Sequence, residues 1–293
     1  MKNFSERKAY NAFLSLICYK EGTIMSYKIF DAHVHVYPDA IADRARVALG
    51  KFYNFPVPGA GTFDGYLAEC RENHTNGFLL FSVATTAHQV KSINDYITAR
   101  VADAKALGFE AVGFAAMHQD FDDVEHELDR CAAMGLRGIK IHPDIQRFDL
   151  LDKRMYRICE VAEGRLIINY HMGDDREEYR YSEPNKLARL LSDFPKLKVI
   201  ASHFGGYQAW DEAAEYLYGN ENVWYDNSSA LWAMSPERAK ELTFACGKDR
   251  VLFGTDFPVM KIRDYLDLFE KEDLDEETKR AVLYENAERL LLS

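Results

Sequence analysis

Cysteine is sparse: Cys18, Cys70, Cys131, Cys159 and Cys246 lie far apart, and no two stand as C-x-x-C. An odd, scattered set in a chain of 293 residues speaks against a disulfide framework or a zinc ribbon. It reads as reduced core thiols of a cytoplasmic protein. Positive charge is also short, with 36 Lys and Arg against 47 Asp and Glu and a formal net charge of −11. Without a basic patch to displace counterions, neither nucleic acid nor an anionic membrane is an expected partner. No apolar run approaches the ~20 residues that span a bilayer. There is no internal repeat, no low-complexity segment, and no Gly-rich phosphate turn after an early strand of the kind nucleotide-binding open sheets carry.

What is present is an ordinary globular balance, 47% hydrophobic and 28% charged, enough apolar surface to offset the chain entropy of folding. Residues 1–26 read as an N-terminal extension. A short apolar run at 12–19 follows Lys2, Arg7 and Lys8, but no small-x-small cleavage site comes after it. From residue 27 to 293 two textures alternate. Strand-like runs occupy 28–36, 78–84, 111–117, 135–142, 165–171, 197–203, 222–227 and 250–256. Helical spacing fills 92–107, 122–134, 152–163, 184–194, 209–218, 236–246 and 276–292. Most strands are continuous apolar runs, as expected where both faces of a parallel sheet are buried. Ser182 and Ser235 stand just before Pro184 and Pro236, as capping hydroxyls at helix starts. Eight strands alternating with helices predict a single-domain α/β fold, a TIM-type (β/α)8 barrel.

The histidines carry the chemistry. His33, His35, His118, His142, His171 and His203 fall at or near the C-terminal ends of predicted strands, and Asp256 holds the same place on the eighth. In a barrel those ends surround one mouth. His74, His88 and His126 are scattered and read as surface residues. In Asp31-Ala32-His33-Val34-His35 the two imidazoles share one side of a strand, since side chains alternate with period two. With His171 and Asp256 they form three imidazoles and a carboxylate, a donor set suited to one divalent ion. Zn²⁺ is the expected ion, with Mn²⁺, Fe²⁺ and Co²⁺ open on ligand type. His203 ends the sixth strand before two glycines and becomes a candidate to polarise a substrate or place a water.

Five motifs in order, Phe30-Asp31-Ala32-His33-Val34-His35, Gly138-Ile139-Lys140-Ile141-His142-Pro143, Tyr170-His171-Met172-Gly173, Ser202-His203-Phe204-Gly205-Gly206 and Gly254-Thr255-Asp256-Phe257-Pro258, resemble the amidohydrolase superfamily. The likeness is to its amidohydrolase-related branch, which also contains metal-dependent decarboxylases. It implies one divalent metal on His33, His35, His171 and Asp256, with His203 beside the substrate and Asp256 also able to shuttle a proton. A homodimer is a further implication.

Two activities follow as expectations. The first is hydrolysis of an amide, ester or lactone of a small molecule by a metal-activated water, with Asp256 and His203 catalytic. The alternative is non-oxidative decarboxylation of a small carboxylic acid on the same constellation. A barrel that has lost catalysis and only binds is a third reading, which an intact metal set opposes. Lys140, His142 and His118 are expected to line the substrate pocket. Some binuclear members of the superfamily carboxylate a fourth-strand lysine, but an ammonium at Lys140 paired with a carboxylate is the preferred reading. The long segment 37–61, with Phe52, Tyr53 and Phe55, is expected to fold over the site. The loop 174–181 reads as solvated charge and residues 267–280 as an exposed helical face.

Overall fold

The computed structural model describes residues 27–293; the expected N-terminal extension, residues 1–26, lies outside them. Eight parallel strands form one sheet in sequence order: β1 (Phe30–His35), β2 (Gly77–Phe81), β3 (Glu110–Ala116), β4 (Gly138–Ile141), β5 (Ile167–Tyr170), β6 (Val199–Ala201), β7 (Val223–Asp226) and β8 (Val251–Leu252). The sheet closes on itself where Ala32 N donates to Phe253 O at 2.8 Å and His35 N to Phe257 O at 2.7 Å. With helices between the strands this is the TIM barrel that the alternation predicts.

Period-two alternation sorts every strand. Outward residues such as Val34, Phe78, Ile139, Ile168, Val199 and Val251 pack under Leu67, Ile97, Leu128, Leu187 and Leu266 of the surrounding helices. Inward residues Phe30, Ala32, Leu79, Phe81, Val112, Phe114, Ile200, Trp224 and Leu252 fill the lower barrel, which Tyr284, Ala287 and Leu291 of the C-terminal helix plug from below. Two residues further along the inward face the character changes: Ile200 gives way to Ser202, Trp224 to Asp226, and Leu252 to Gly254 and then Asp256. The polar layer begins there.

In β1 the pairing slips, Asp31 facing Phe78 but Val34 facing Leu80, so one extra residue sits between them. Such a bulge re-aims side chains. It lets Ala32 face the apolar interior while His33 and His35, the next inward pair, rise into the mouth.

The expected helices are present within one to three residues, with four additions, one of them the short Pro143–Gln146 after β4. Asp39–Tyr53 and Phe63–Glu72 lie between β1 and β2, and Ile262–Glu270 follows β8. Helix Asp39–Tyr53 buries Ala42 alone, because it lies across the barrel mouth rather than on the sheet. Ser235 caps its helix as expected, accepting from Arg238 N at 3.3 Å. Ser182 does not: its hydroxyl donates to Asp144 at 2.5 Å and accepts from Gly173 N at 3.1 Å, tying two mouth loops together.

Residues 267–280 also depart from the exposed face expected of them, for Leu268, Phe269, Glu272, Leu274, Thr278 and Lys279 are buried. Glu272 accepts one 3.3 Å bond from Thr243 while its other oxygen has no partner among the described residues. Burial pushes this carboxyl from the ordinary 4.5 up to about 8. Between those values the unfolded chain has released a proton that the folded chain keeps, so this group lowers stability as pH rises from 4.5 towards 8. Glu272→Gln is expected to raise the thermal midpoint at about pH 8, by about 2–4 °C per kcal/mol gained, with little change near pH 4.5. Equal shifts at both pH values would show that Glu272 does not titrate as its burial implies.

Candidate metal centre

His33 Nε2 lies 3.3 Å from His35 Nε2 and 3.3 Å from Asp256 Oδ1, and His35 Nε2 lies 3.4 Å from the same oxygen. Three lone-pair atoms thus face one another. His33 brings no proton to this meeting, because its Nδ1 donates to Asp226 Oδ2 at 3.0 Å and a neutral ring has only one N–H. Burial, with Lys140 adding to it, holds His33 down at about 4 despite the opposing charges of Asp226 and Asp256, and burial lowers His35 as well. Burial alone would raise the Asp256 carboxyl, but the imidazoles of His33 and His35 outweigh it and keep it below the ordinary carboxylate range. His35 Nε2, 3.4 Å from Asp256 Oδ1, and Lys140 Nζ, 3.4 Å from His33 Nε2, are the donors in reach, and contacts this long satisfy the three lone pairs only weakly. A cation would satisfy all three. Donors about 2.0–2.1 Å from a tetrahedral ion stand roughly 3.3 Å apart, so the trio fits a metal of zinc size.

The groups behind these ligands were not assigned from the sequence. Asp226, fully buried at the end of β7, accepts from His33 Nδ1, from His203 N at 3.1 Å, from Ser228 N at 3.2 Å and from Ser228 Oγ at 2.5 Å. A carboxylate on the far nitrogen of a ligand imidazole fixes its tautomer and aim. Asp31 does the equivalent for the backbone, accepting from His33 N, Thr255 N, Thr255 Oγ1 and Tyr66 Oη, and so tying β1 to the loop that carries Asp256. An aspartate inside an apolar strand run, as in Val223-Trp224-Tyr225-Asp226, was the available signal. His203, Phe204, Ser229 and Asp256 all have φ between 52° and 61°, a region costly for side-chain-bearing residues and concentrated here at the mouth.

The remaining expected residues are placed as follows. His171 lies off the trio, its Nδ1 3.0 Å from His203 Nε2 and its Nε2 3.2 Å from Gly173 O. His203 is held by Ser228 O, 2.7 Å from its Nδ1. Lys140 is buried beneath the trio, donating to Asn169 Oδ1 at 2.6 Å with Nζ 3.4 Å from His33 Nε2, so its partner is an amide oxygen and not a carboxylate. Burial lowers it to about 8. His142 stacks on His171 with ring centres 3.8 Å apart. His118 accepts from Asp120 N at 3.2 Å and stands apart from the trio. His142, Asp144 and His171 could also gather around an ion, but Asp144 is already engaged by Ser182 and Tyr181.

The trio opens on a cleft of about 750 Å³ lined by His171, His203, Ser229 and Asp256 and by the aromatic rings of Tyr53, Phe55, Tyr207 and Trp232. Segment 37–61 covers it, as expected. Arg176, expected in solvated charge, instead clamps this cover: its guanidinium pairs with Asp174 at 2.6 and 2.8 Å, donates to Phe52 O at 2.6 Å and stacks on Tyr179 at 4.0 Å. Gly173 is required beside it. Its φ is +75°, and a Cβ there would lie 2.5 Å from Tyr207 N.

A solved TIM-barrel protein of uncharacterised function from Bordetella bronchiseptica superposes with TM-score 0.70 at 19% identity, over 90% of this chain and 98% of that one. A 5-carboxyvanillate decarboxylase from Novosphingobium aromaticivorans, complexed with manganese and a nitrobenzoic acid, gives 0.65 at 18%, over 92% and 97%. A candidate 2-pyrone-4,6-dicarboxylic acid hydrolase from Pseudomonas putida gives 0.62 at 18%, over 90% and 97%. These likenesses establish the shared barrel. The family model described as amidohydrolase matches residues 30–292, nearly the whole described chain, and the protein therefore belongs to the amidohydrolase family.

Proposed function

We propose that this protein is a metal-dependent hydrolase of a small amide, ester or lactone. The observation that carries the reading is the trio itself, whose carboxylate, Asp256, belongs both to the ligand set and to the cleft wall. His33, His35 and Asp256 would hold the ion, zinc by donor type, and His171 would join them by turning its ring from His203. A divalent ion held there supplies Lewis acidity, polarising a carbonyl and letting water ionise near neutral pH. Asp256 Oδ2 accepts from Ser229 Oγ at 2.7 Å, which holds the carboxylate in place to take a proton from water and return it to the leaving group. His203 gives its Nδ1–H to Ser228 O, so the neutral ring presents Nε2 as an acceptor that can place the water.

Hydrolysis of an uncharged acyl compound is favoured over decarboxylation because the cleft's arginines are committed. Arg46 pairs with Asp43 at 2.6 Å and donates to Val57 O at 3.0 Å, and Arg176 is held by Asp174 and Phe52. Neither arginine is free to receive a substrate carboxylate, which leaves that task to the exposed Lys51 at the cleft edge. The aromatic walls favour a second reading, decarboxylation of a planar aromatic acid, the substrate type named for the 5-carboxyvanillate neighbour. The two separate in one assay. Zinc-loaded protein is offered aryl esters, anilides and lactones in ¹⁸O-water, and aromatic acids alongside. Labelled carboxylic acid product is the expected result. Carbon dioxide evolved from an aromatic acid, without label uptake from any ester, amide or lactone, would replace the hydrolase reading with the second.

A further inference from the structure

Tyr53 ends the helix that lies across the mouth, and its hydroxyl is 2.7 Å from His142 Nε2. Which partner donates is decided on the far side of the imidazole. His142 is the N-cap of the short helix Pro143–Gln146, and its Nδ1 accepts the Ile145 N–H at 3.3 Å. A ring nitrogen that accepts an N–H carries no proton, so the proton of the neutral ring is on Nε2. Nε2–H therefore donates to the tyrosine oxygen, and the tyrosine's own O–H is left to point elsewhere. That hydroxyl makes no second hydrogen bond among the described residues. Its ring is fixed from three sides, stacked on Phe55 at 5.7 Å, edge-on to Phe52 at 4.7 Å and beneath the Arg176 guanidinium at 5.6 Å. The residue shares the cleft wall with His171, His203 and Asp256.

We propose that Tyr53 is a substrate-binding residue whose O–H donates to an oxygen of the ligand's acyl group, and that His142 is the positioning residue that keeps it a donor. That the oxygen belongs to an acyl group rests on the hydrolase reading; the donor state of Tyr53 does not. The arrangement selects for ligands presenting an acceptor oxygen to the Tyr53 side of the cleft. It also ties the cover to the barrel, since Tyr53 is carried by the covering helix and His142 follows β4.

Two measurements test this. Nitrogen-15 spectra through two-bond couplings, with His142 assigned by its loss in His142→Gln, are expected to show a protonated Nε2 and a bare Nδ1. The opposite tautomer would make Tyr53 donate to His142 and overturn the proposal. Calorimetry with zinc-loaded protein and benzohydroxamic acid is expected to show about 3- to 10-fold weaker binding for the folded Tyr53→Phe protein, the scale of one hydrogen bond. His142→Ala weakens binding in the wild-type background but adds nothing to Tyr53→Phe, whereas a merely structural role for His142 would add its cost in both. Equal affinity of wild type and Tyr53→Phe, or no binding by wild type, overturns the assignment. If the tyrosine effect is found but no ester, amide or lactone is turned over, the hydrolase reading fails and Tyr53 keeps its role.

Discussion

His33→Ala is expected to leave the protein folded and nearly metal-free after dialysis, with affinity weaker by roughly 100-fold or more, beyond the range that outer-shell changes produce. Asp256→Asn should act on both counts, because the proposed function makes the same side chain a ligand and the proton carrier. Its kcat/KM on any turned-over substrate is expected to fall about 1,000-fold or more, the equivalent of several kcal/mol of lost charge stabilisation. Elemental analysis and steady-state kinetics check these results. Removing one corner of a trio with edges of 3.3–3.4 Å leaves two donors in place, with His171 turned to His203, too few to hold a zinc-like ion against buffer. Undiminished metal content in His33→Ala would show that the ion, if any, sits elsewhere in the mouth.

The second large effect is expected at Asp226, which touches no substrate. Its carboxylate accepts four hydrogen bonds, one fixing the His33 tautomer and one the backbone of His203. Asp226→Asn replaces an acceptor-only group by one that presents N–H to donors. The substitution should lower metal affinity about 10- to 100-fold. It should also cost about 1–3 kcal/mol of stability, because a buried donor loses its partner. Competition with a chelator and denaturant titration give the two numbers. Wild-type metal affinity in a stable Asp226→Asn protein would remove the aspartate from the ligand-orienting role.

Much of this was legible in the residue order. Continuous apolar runs announced buried parallel strands, and histidines at their C-terminal ends announced the mouth, because the barrel brings those ends together whatever the loops do. The polar groups behind the ligands were less legible, since nothing in the spacing of Asp226 ties it to His33 until β7 reaches β1, and the hold of Asp31 on Thr255 needs β8 beside β1. Helix Asp39–Tyr53 hid because it buries so little. Arg176 misled for the opposite reason: a charged loop looks solvated until Asp174, Phe52 and Tyr179 are seen to surround it. Glu272 was read as surface on charge alone, and the packing of its neighbours overrode that.

The ion site straddles the closure between β1 and β8, with His33 and His35 on the first strand and Asp256 just past the last. Nearly the whole polypeptide must leave the ribosome before those three side chains can meet. An ion gripped there works as a clasp on the two ends of the barrel. Because the loop it would shut runs from His33 to Asp256, the freedom it would deny the unfolded state is large. Assembly and the proposed chemistry would then share one fastening, and a chelator would loosen the cylinder as well as stop turnover.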